Sequence, residues 1–226
     1  MSAPAVRRTR SKRGSGDQLR EEIVVAAKRL LAEADRADDV PIRAVAEAVG
    51  VTTPSIYLHF ADKQELLAAV VADVFRELDD AMIAAAAHET TPLGRLRAFG
   101  LAYVRFALDH PEHYRLAVLE PCPKPNIEVD EVLHSSAFSH MQATVEECIA
   151  AGIFAGDPLG ITFEMWAVAH GVAALMIAKP YLPFGEAEEF ADRTLCAAAL
   201  GQAARSLVGA DPDPGTVSDW LARQRP

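Results

Sequence analysis

Thr53, Ser55, Tyr57 and His59 put two hydroxyls, a phenol and an imidazole within seven residues, and Lys63 adds an ammonium four positions on. Short or flat hydrogen-bonding side chains beside a point charge suit phosphate oxygens and base edges. A second group mixes rings with a few polar tips: Phe99, Tyr103, Phe106, Phe163, Trp166 and His170. That mixture is the usual make-up of a small-molecule pocket. Phe138, Met141, Tyr114 and Met176 fit the same pattern, although apolar residues at helical spacing more often simply pack. His110 and His113 stand three apart without a third metal ligand at a workable spacing. Cys122, Cys148 and Cys196 are odd in number and widely spaced, so they form neither a disulfide framework nor a ligand pair. No base accompanies Cys122, and no phosphate loop or nucleophile elbow occurs. The expectation is therefore no catalytic residue, no metal and no cofactor.

The first group needs two short helices to hold it. Ile42, Val45, Ala46 and Val49 recur at helical spacing and mark one buried face. Gly50 can turn at the end of that helix, and Val51 is apolar inside the turn. Thr52 or Thr53 then caps a second helix whose first turn accepts Pro54. Ile56 and Phe60, at i and i+4, face inward, leaving Thr53, Pro54, Ser55, Tyr57 and His59 on the other side. Leu58 either sits on the surface or brushes a thymine methyl. Two helices joined by a tight Gly turn, the second with a small polar face, is how a helix-turn-helix enters a major groove.

Around this pair the chain reads as helix throughout, with no alternating strand pattern and no internal repeat. Residues 1–14 are a flexible basic arm, either a solvated tail or an arm that touches DNA. Ser15–Gln18 and Asp62–Glu65 have the form of capping boxes. Helix 1 follows the first to about Ala34, and a long helix carrying Leu66, Leu67, Val70, Val74, Leu78 and Met82 follows the second. Further helices are expected over Pro92–Asp109, His110–Leu119, up to about Ala151, Pro158–Ala178 and Glu186–Val208. Asp35–Asp39 and the proline-rich Glu120–Val129 read as loops.

The chain has 226 residues, half of them hydrophobic and about a quarter charged, as in a soluble globular protein. No apolar run approaches the ~20 residues of a membrane span, and the basic N-terminus lacks the apolar core of a secretory signal. The cysteine usage fits a cytoplasmic protein with no membrane partner. The net charge of −10 is uneven: residues 1–63 hold 11 Lys/Arg against 9 Asp/Glu, the remainder 11 against 23. Phosphates would repel the acidic body, so contact with DNA belongs to the N-terminal end.

Ile56-Tyr57-Leu58-His59-Phe60 with Lys63, preceded by Gly50-Val51-Thr52, resembles the tetracycline-repressor (TetR) family of bacterial transcription regulators. Trp166-x-x-x-His170-Gly171 is similar to the signature of its WHG-type C-terminal domain. The resemblance covers roughly residues 15–208. It implies an all-α fold: a helix-turn-helix DNA-binding domain over 15–62, a helical effector-binding and dimerisation domain over 63–210, and a tail over 211–226. It also implies that Tyr57, His59 and Lys63 contact phosphates, and that Thr53, Pro54 and Ser55 open the groove-facing helix. The family usually has Ser or Thr near the start of helix 2. Val40-Pro41 stands there in this chain, so Arg43 takes that role. The small-residue-rich last two helices imply a homodimer, whose two heads would reach successive major grooves of a pseudo-palindromic operator. The expected function is a ligand-responsive transcription regulator, a repressor released by a small apolar or amphipathic effector. The alternative is a DNA-binding regulator without an effector, constitutive or controlled by a protein partner.

Overall fold

The computed structural model describes residues 15–34, 39–119, 137–209 and 213–224. The expectations for the arm at 1–14, for most of the loop at 35–39, for the proline-rich loop and for Cys122 lie outside them. Every element among the described residues is helical. In chain order these are α1 (Ser15–Ala32), α2 (Ile42–Val49), α3 (Thr53–Ile56), α4 (Lys63–Ala86), α5 (Pro92–Asp109) and α6 (Pro111–Tyr114). A π-helical turn, Arg115–Leu119, continues α6, and α7 (Ala137–Ala150), α8 (Pro158–Ala178), α9 (Ala187–Val208) and α10 (Pro214–Gln224) follow. The chain divides into two compact units: one takes residues up to Glu77 with His110–Val132, the other Leu78–Asp109 with Leu133 onward.

The first unit is built on apolar stripes at helical spacing. Ile23, Val24, Ala27 and Leu31 of α1 meet Val45 and Ala46 of α2, Ile56, Phe60, and Leu66, Ala69 and Val70 of α4. Leu116 packs against the same core, and the Arg115 guanidinium donates to the carbonyl of Ala34 at 3.3 Å. Where α4 begins, Glu65 N–H donates to Asp62 Oδ1 at 2.8 Å, and Ala61 N–H donates to Glu65 Oε2 at 2.5 Å. These reciprocal bonds satisfy donors that a helix start leaves open. Lys28, on α1, is almost fully buried and donates to Asp73 at 2.5 Å and Glu77 at 2.6 Å, both on α4.

In the second unit, α5 packs on α7, α8 and α9, and α8 packs on α7 and α9. Leu96, Phe99, Ala102, Tyr103, Val104, Phe106 and Ala107 bury one side of α5. Two ion pairs tie α5 to α9: Arg97 makes a two-pronged contact with Asp192 at 2.5 and 2.8 Å, and Arg105 reaches Glu188 at 2.9 Å. The pairing with Asp192 outweighs desolvation and holds the guanidinium's pKa above its ordinary value.

The expectation that no apolar run approaches the length of a membrane span does not hold. The helix Pro158–Ala178 has 21 residues and a mean hydropathy of 1.6 over its most apolar 18-residue window, so it is long and apolar enough to cross a membrane. Its composition has another source, because three helices of the unit pack against it and an element surrounded by partners is apolar on most sides. Only 28% of that window is buried within this chain, however. Ala167, Gly171, Leu175 and Ala178 of α8 and Ala197, Leu200, Gly201 and Leu207 of α9 are all exposed. A Cβ added at Gly171 or Gly201 would meet no atom within 4 Å. Helix 1 stops at Ala32, slightly short of the expected end. Residues 214–224 of the C-terminal tail are helical, with Asp213 accepting from the N–H groups of Gly215 and Thr216 at 2.8 and 3.1 Å and from the Thr216 hydroxyl at 2.7 Å.

Candidate nucleic-acid interface and aromatic cluster

The turn between α2 and α3 forms as its residues dictate. Gly50 ends α2 at φ 75 and ψ 32, a left-handed conformation that costs a residue with a Cβ but not glycine. Its N–H donates to Glu47 O at 3.2 Å, and that of Val51 to Ala46 O at 3.0 Å, closing the helix end. Thr52 holds the N-cap position in extended conformation, but its hydroxyl does not bond a backbone N–H. It meets the Ser55 hydroxyl at 2.8 Å instead. Pro54 lies in the first turn, where a missing N–H does no harm.

Ile56 and Phe60 are 0% and 1% exposed, so they anchor this short segment from below. The Arg20 guanidinium lies 5.0 Å from the centroid of the Phe60 ring. Everything else on the segment turns outward: Pro54 is exposed, Thr53, Ser55 and His59 are half-buried, and Tyr57 and Leu58 are 50% and 84% exposed. Leu58 therefore sits on the surface. Lys63 is half-buried at the start of α4. Arg43 projects from α2 and bonds Glu47 at 2.8 Å, one turn along the same helix. The outcome is a surface of hydroxyls, a phenol, an imidazole, two cations and one bare leucine, held by two apolar pegs.

The aromatic residues form a separate cluster in the second unit. Phe163, Trp166 and His170 follow one another along one side of α8, with ring centroids 6.3 and 6.2 Å apart. Phe138 of α7 joins them, 5.0 Å from Phe163 and 6.2 Å edge-on to Trp166. His170 Nδ1 and the Tyr103 hydroxyl of α5 are 3.4 Å apart. Burial pushes the His170 pKa below its ordinary value, which keeps the ring neutral near pH 7. Phe99 and Phe106 are buried in α5, whereas Phe163 is 49% exposed. His110 and His113 stack on each other at 5.7 Å, and among the described residues no cluster of three His, Cys, Asp or Glu could hold a metal. Burial pushes the Cys148 thiol up to about 11, which leaves it a poor nucleophile.

Residues 23–70 match the family of bacterial regulatory proteins named for tetR, and residues 96–198 match the tetracyclin repressor-like C-terminal domain. A structure of a protein with unknown function from Rhodococcus sp. RHA1 is 30% identical, with a TM-score of 0.72, over 82% of this chain and 95% of that one. The chain belongs to the TetR family. It is a transcription regulator whose N-terminal helix-turn-helix domain binds DNA, and regulators of this family usually act as dimers. Two more distant structures share the fold. RolR in complex with resorcinol is 18% identical, with a TM-score of 0.62 over 86% of this chain and 94% of that one. The fatty acid degradation regulator FadR from Bacillus halodurans is 15% identical, with a TM-score of 0.66 over 84% and 97%. No curated protein matches the sequence.

Within this TetR-family frame the structure brings Thr53, Pro54, Ser55, Tyr57 and His59 onto one continuous segment, with Lys63 four residues beyond His59 and Arg43 on the neighbouring α2. It joins Tyr103, Phe163, Trp166 and His170 through ring and hydrogen-bond contacts. Sequence reasoning missed the Lys28–Asp73–Glu77 cluster that ties α1 to the middle of α4. Its signal was present, because Lys28 interrupts the apolar stripe of α1 and Asp73 and Glu77 stand one turn apart on α4. It also missed the Arg205–Glu164 ion pair at 2.9 Å between α9 and α8.

Proposed function

We infer that this TetR-family chain is a homodimeric repressor that grips a pseudo-palindromic operator and is released by a small apolar or amphipathic effector. The observation that carries the DNA half is the α3 segment, with Ile56 and Phe60 pinned beneath it and its polar side chains turned outward. Tyr57, His59, Lys63 and Arg43 serve the phosphates, while Thr53, Pro54 and Ser55 meet the groove. Arg43 must exchange Glu47 for a phosphate when it does so. Leu58, already bare, would rest against a thymine methyl in this reading. No step of this reading calls for catalysis or a cofactor.

The homodimer rests on the exposed small and apolar residues of α8 and α9. Gly171 and Gly201 leave room above the backbone, and Leu175, Leu200 and Leu207 are 44%, 69% and 71% exposed. A second copy laid on this face would bury them and supply the two heads that an operator of useful length requires. Such a protein works in the cytoplasm, where the DNA is.

The effector site is assigned to Phe99, Tyr103, Phe106, Phe163, Trp166 and His170. Rings supply apolar area, and neutral His170 with the Tyr103 hydroxyl supplies orientation. RolR was crystallised with resorcinol, a ring with hydroxyls, and a ligand of that general kind suits this cluster. Because ligand and DNA oppose each other in this reading, each should weaken the other by the same factor, typically about 1–3 kcal/mol. The test uses a Trp220→Phe variant, leaving Trp166 as the single indole. Among apolar and amphipathic compounds, those that release DNA should also shift its emission. Release of DNA with unchanged Trp166 emission would place the effector elsewhere.

A further inference from the structure

Among the described residues of the head, three large apolar ones stand in solvent: Tyr57, Leu58 and Val25. The first two belong to the DNA-facing segment. Val25 does not, and at 59% exposure it lies in a trough of about 550 Å³ whose floor is one side of α1. Gln18, Glu21, Glu22, Val25, Ala26 and Arg29 follow each other along that side, and Ala48 and Val49 of α2 form the opposite wall. Read from the start of α1, the trough is acidic first, then apolar, with Arg29 at its far end.

Residues 1–14 run into α1 and carry the complementary order. Counted back from Ser15, the arm is basic first (Arg13, Lys12, Arg10, Arg8, Arg7) and then apolar (Val6, Ala5, Pro4, Ala3), without one acidic residue. If the chain reverses at Gly14, its cations fall beside Glu21 and Glu22 and its apolar stretch beside Val25, Ala26, Ala48 and Val49. The reach suffices. Val25 and Ala26 lie about 16 Å along the helix from Ser15 at 1.5 Å per residue. The nine residues back to Val6 span up to about 30 Å when extended, which leaves slack for the reversal. Charge pairing at the near end and burial of Val25 at the middle act together, and neither alone would fix the direction of the arm.

We propose that the α1–α2 trough is the docking site of the chain's own N-terminal arm, residues 3–13, with Lys12 and its arginine neighbours against Glu21 and Glu22 and the Ala3–Val6 stretch over Val25. This inference is independent of the DNA and effector readings, and its test uses neither. Lys12 is the arm's single lysine, so carbodiimide coupling of the full chain should join its amine to Glu21 or Glu22 as an amide, detectable by mass spectrometry after digestion. Val25→Gln and, separately, Ala48→Gln keep the trough's charge but remove its apolar middle, and each should lower the yield several-fold. Leu58→Gln, away from the trough, should leave it unchanged. Equal yields in the wild type and both trough variants would overturn the proposal, as would coupling of Lys12 mainly to carboxylates outside the trough. So would cross-linked pairs of mixed isotope from a blend of ¹⁴N and ¹⁵N protein, because they would assign the arm to another copy.

Discussion

At the scale of single residues, grip and reading fall to different side chains. Tyr57 and Lys63 are assigned to phosphates, which every DNA sequence offers. Replacing either with Ala should weaken binding to all sequences alike and lower the slope of log affinity against log salt by roughly one unit. Thr53 and Ser55 are assigned to the groove, so their replacement should change which bases are preferred, by about 1–3 kcal/mol per good contact. Ser55 is the subtler case, since its hydroxyl already meets that of Thr52 at 2.8 Å. Titrating wild type and variants against one operator at several salt concentrations, and against its single-base changes, distinguishes the two roles. Unchanged slope and affinity in both Tyr57→Ala and Lys63→Ala would move the binding face elsewhere.

At the scale of elements, the Lys28 cluster ties α1 to the middle of α4. Desolvation opposes both charges, but for Lys28 the bonds to Asp73 and Glu77 win and raise its pKa above 10.5. For Asp73 the bonds from Lys28 and Arg76 win and lower its pKa below 3.8. The raised lysine contributes stability that is complete below 10.5 and fades as pH climbs through the folded value. The lowered aspartate contributes stability present above 3.8 and lost as pH falls through its folded value. Lys28→Met should therefore cost roughly 1–3 kcal/mol near pH 7, kept modest because Glu77 is half open to solvent. The gap should narrow as the medium is acidified below the carboxylate range. Urea unfolding of both proteins at neutral and acid pH measures this, and an equal gap at both would remove the cluster from the stability of the head. The members of this cluster stood out singly in the sequence, but their pairing was not legible beforehand, because it joins residues 45 and 49 apart in the chain. The helices themselves were legible. Ile42–Val49, Pro92–Asp109 and Pro158–Ala178 carry their periodicity and their Gly or Pro boundaries locally. The helix Pro214–Gln224 was not, since it has no buried residue to set a stripe and depends on the Asp213 cap. In the candidate sites, the residue types at 53–63 declared the surface, but nothing in sequence told that Thr52 would bond Ser55 or that Phe163 would stand half in solvent.

At the scale of the whole molecule, the dimer and the operator are one claim seen from two ends. Leu200→Glu places a charge at the centre of the exposed α9 face, away from the α5–α9 ion pairs, so it should leave the single chain folded. Buried against a second copy, that charge would be costly. Light scattering should then report one chain where the wild type reports two, and a folded variant that stays dimeric would move the interface off this face. If two such chains read DNA through their α3 segments, selection from a random double-stranded pool will show it. The selection should enrich a pseudo-palindrome whose half-sites lie about one helical turn apart, or a multiple of it, bound by two chains or a multiple of two. The enrichment should vanish when Tyr57 and Lys63 are both replaced by Ala. A pool that yields no preferred sequence, or one that enriches equally with the double variant, would contradict it.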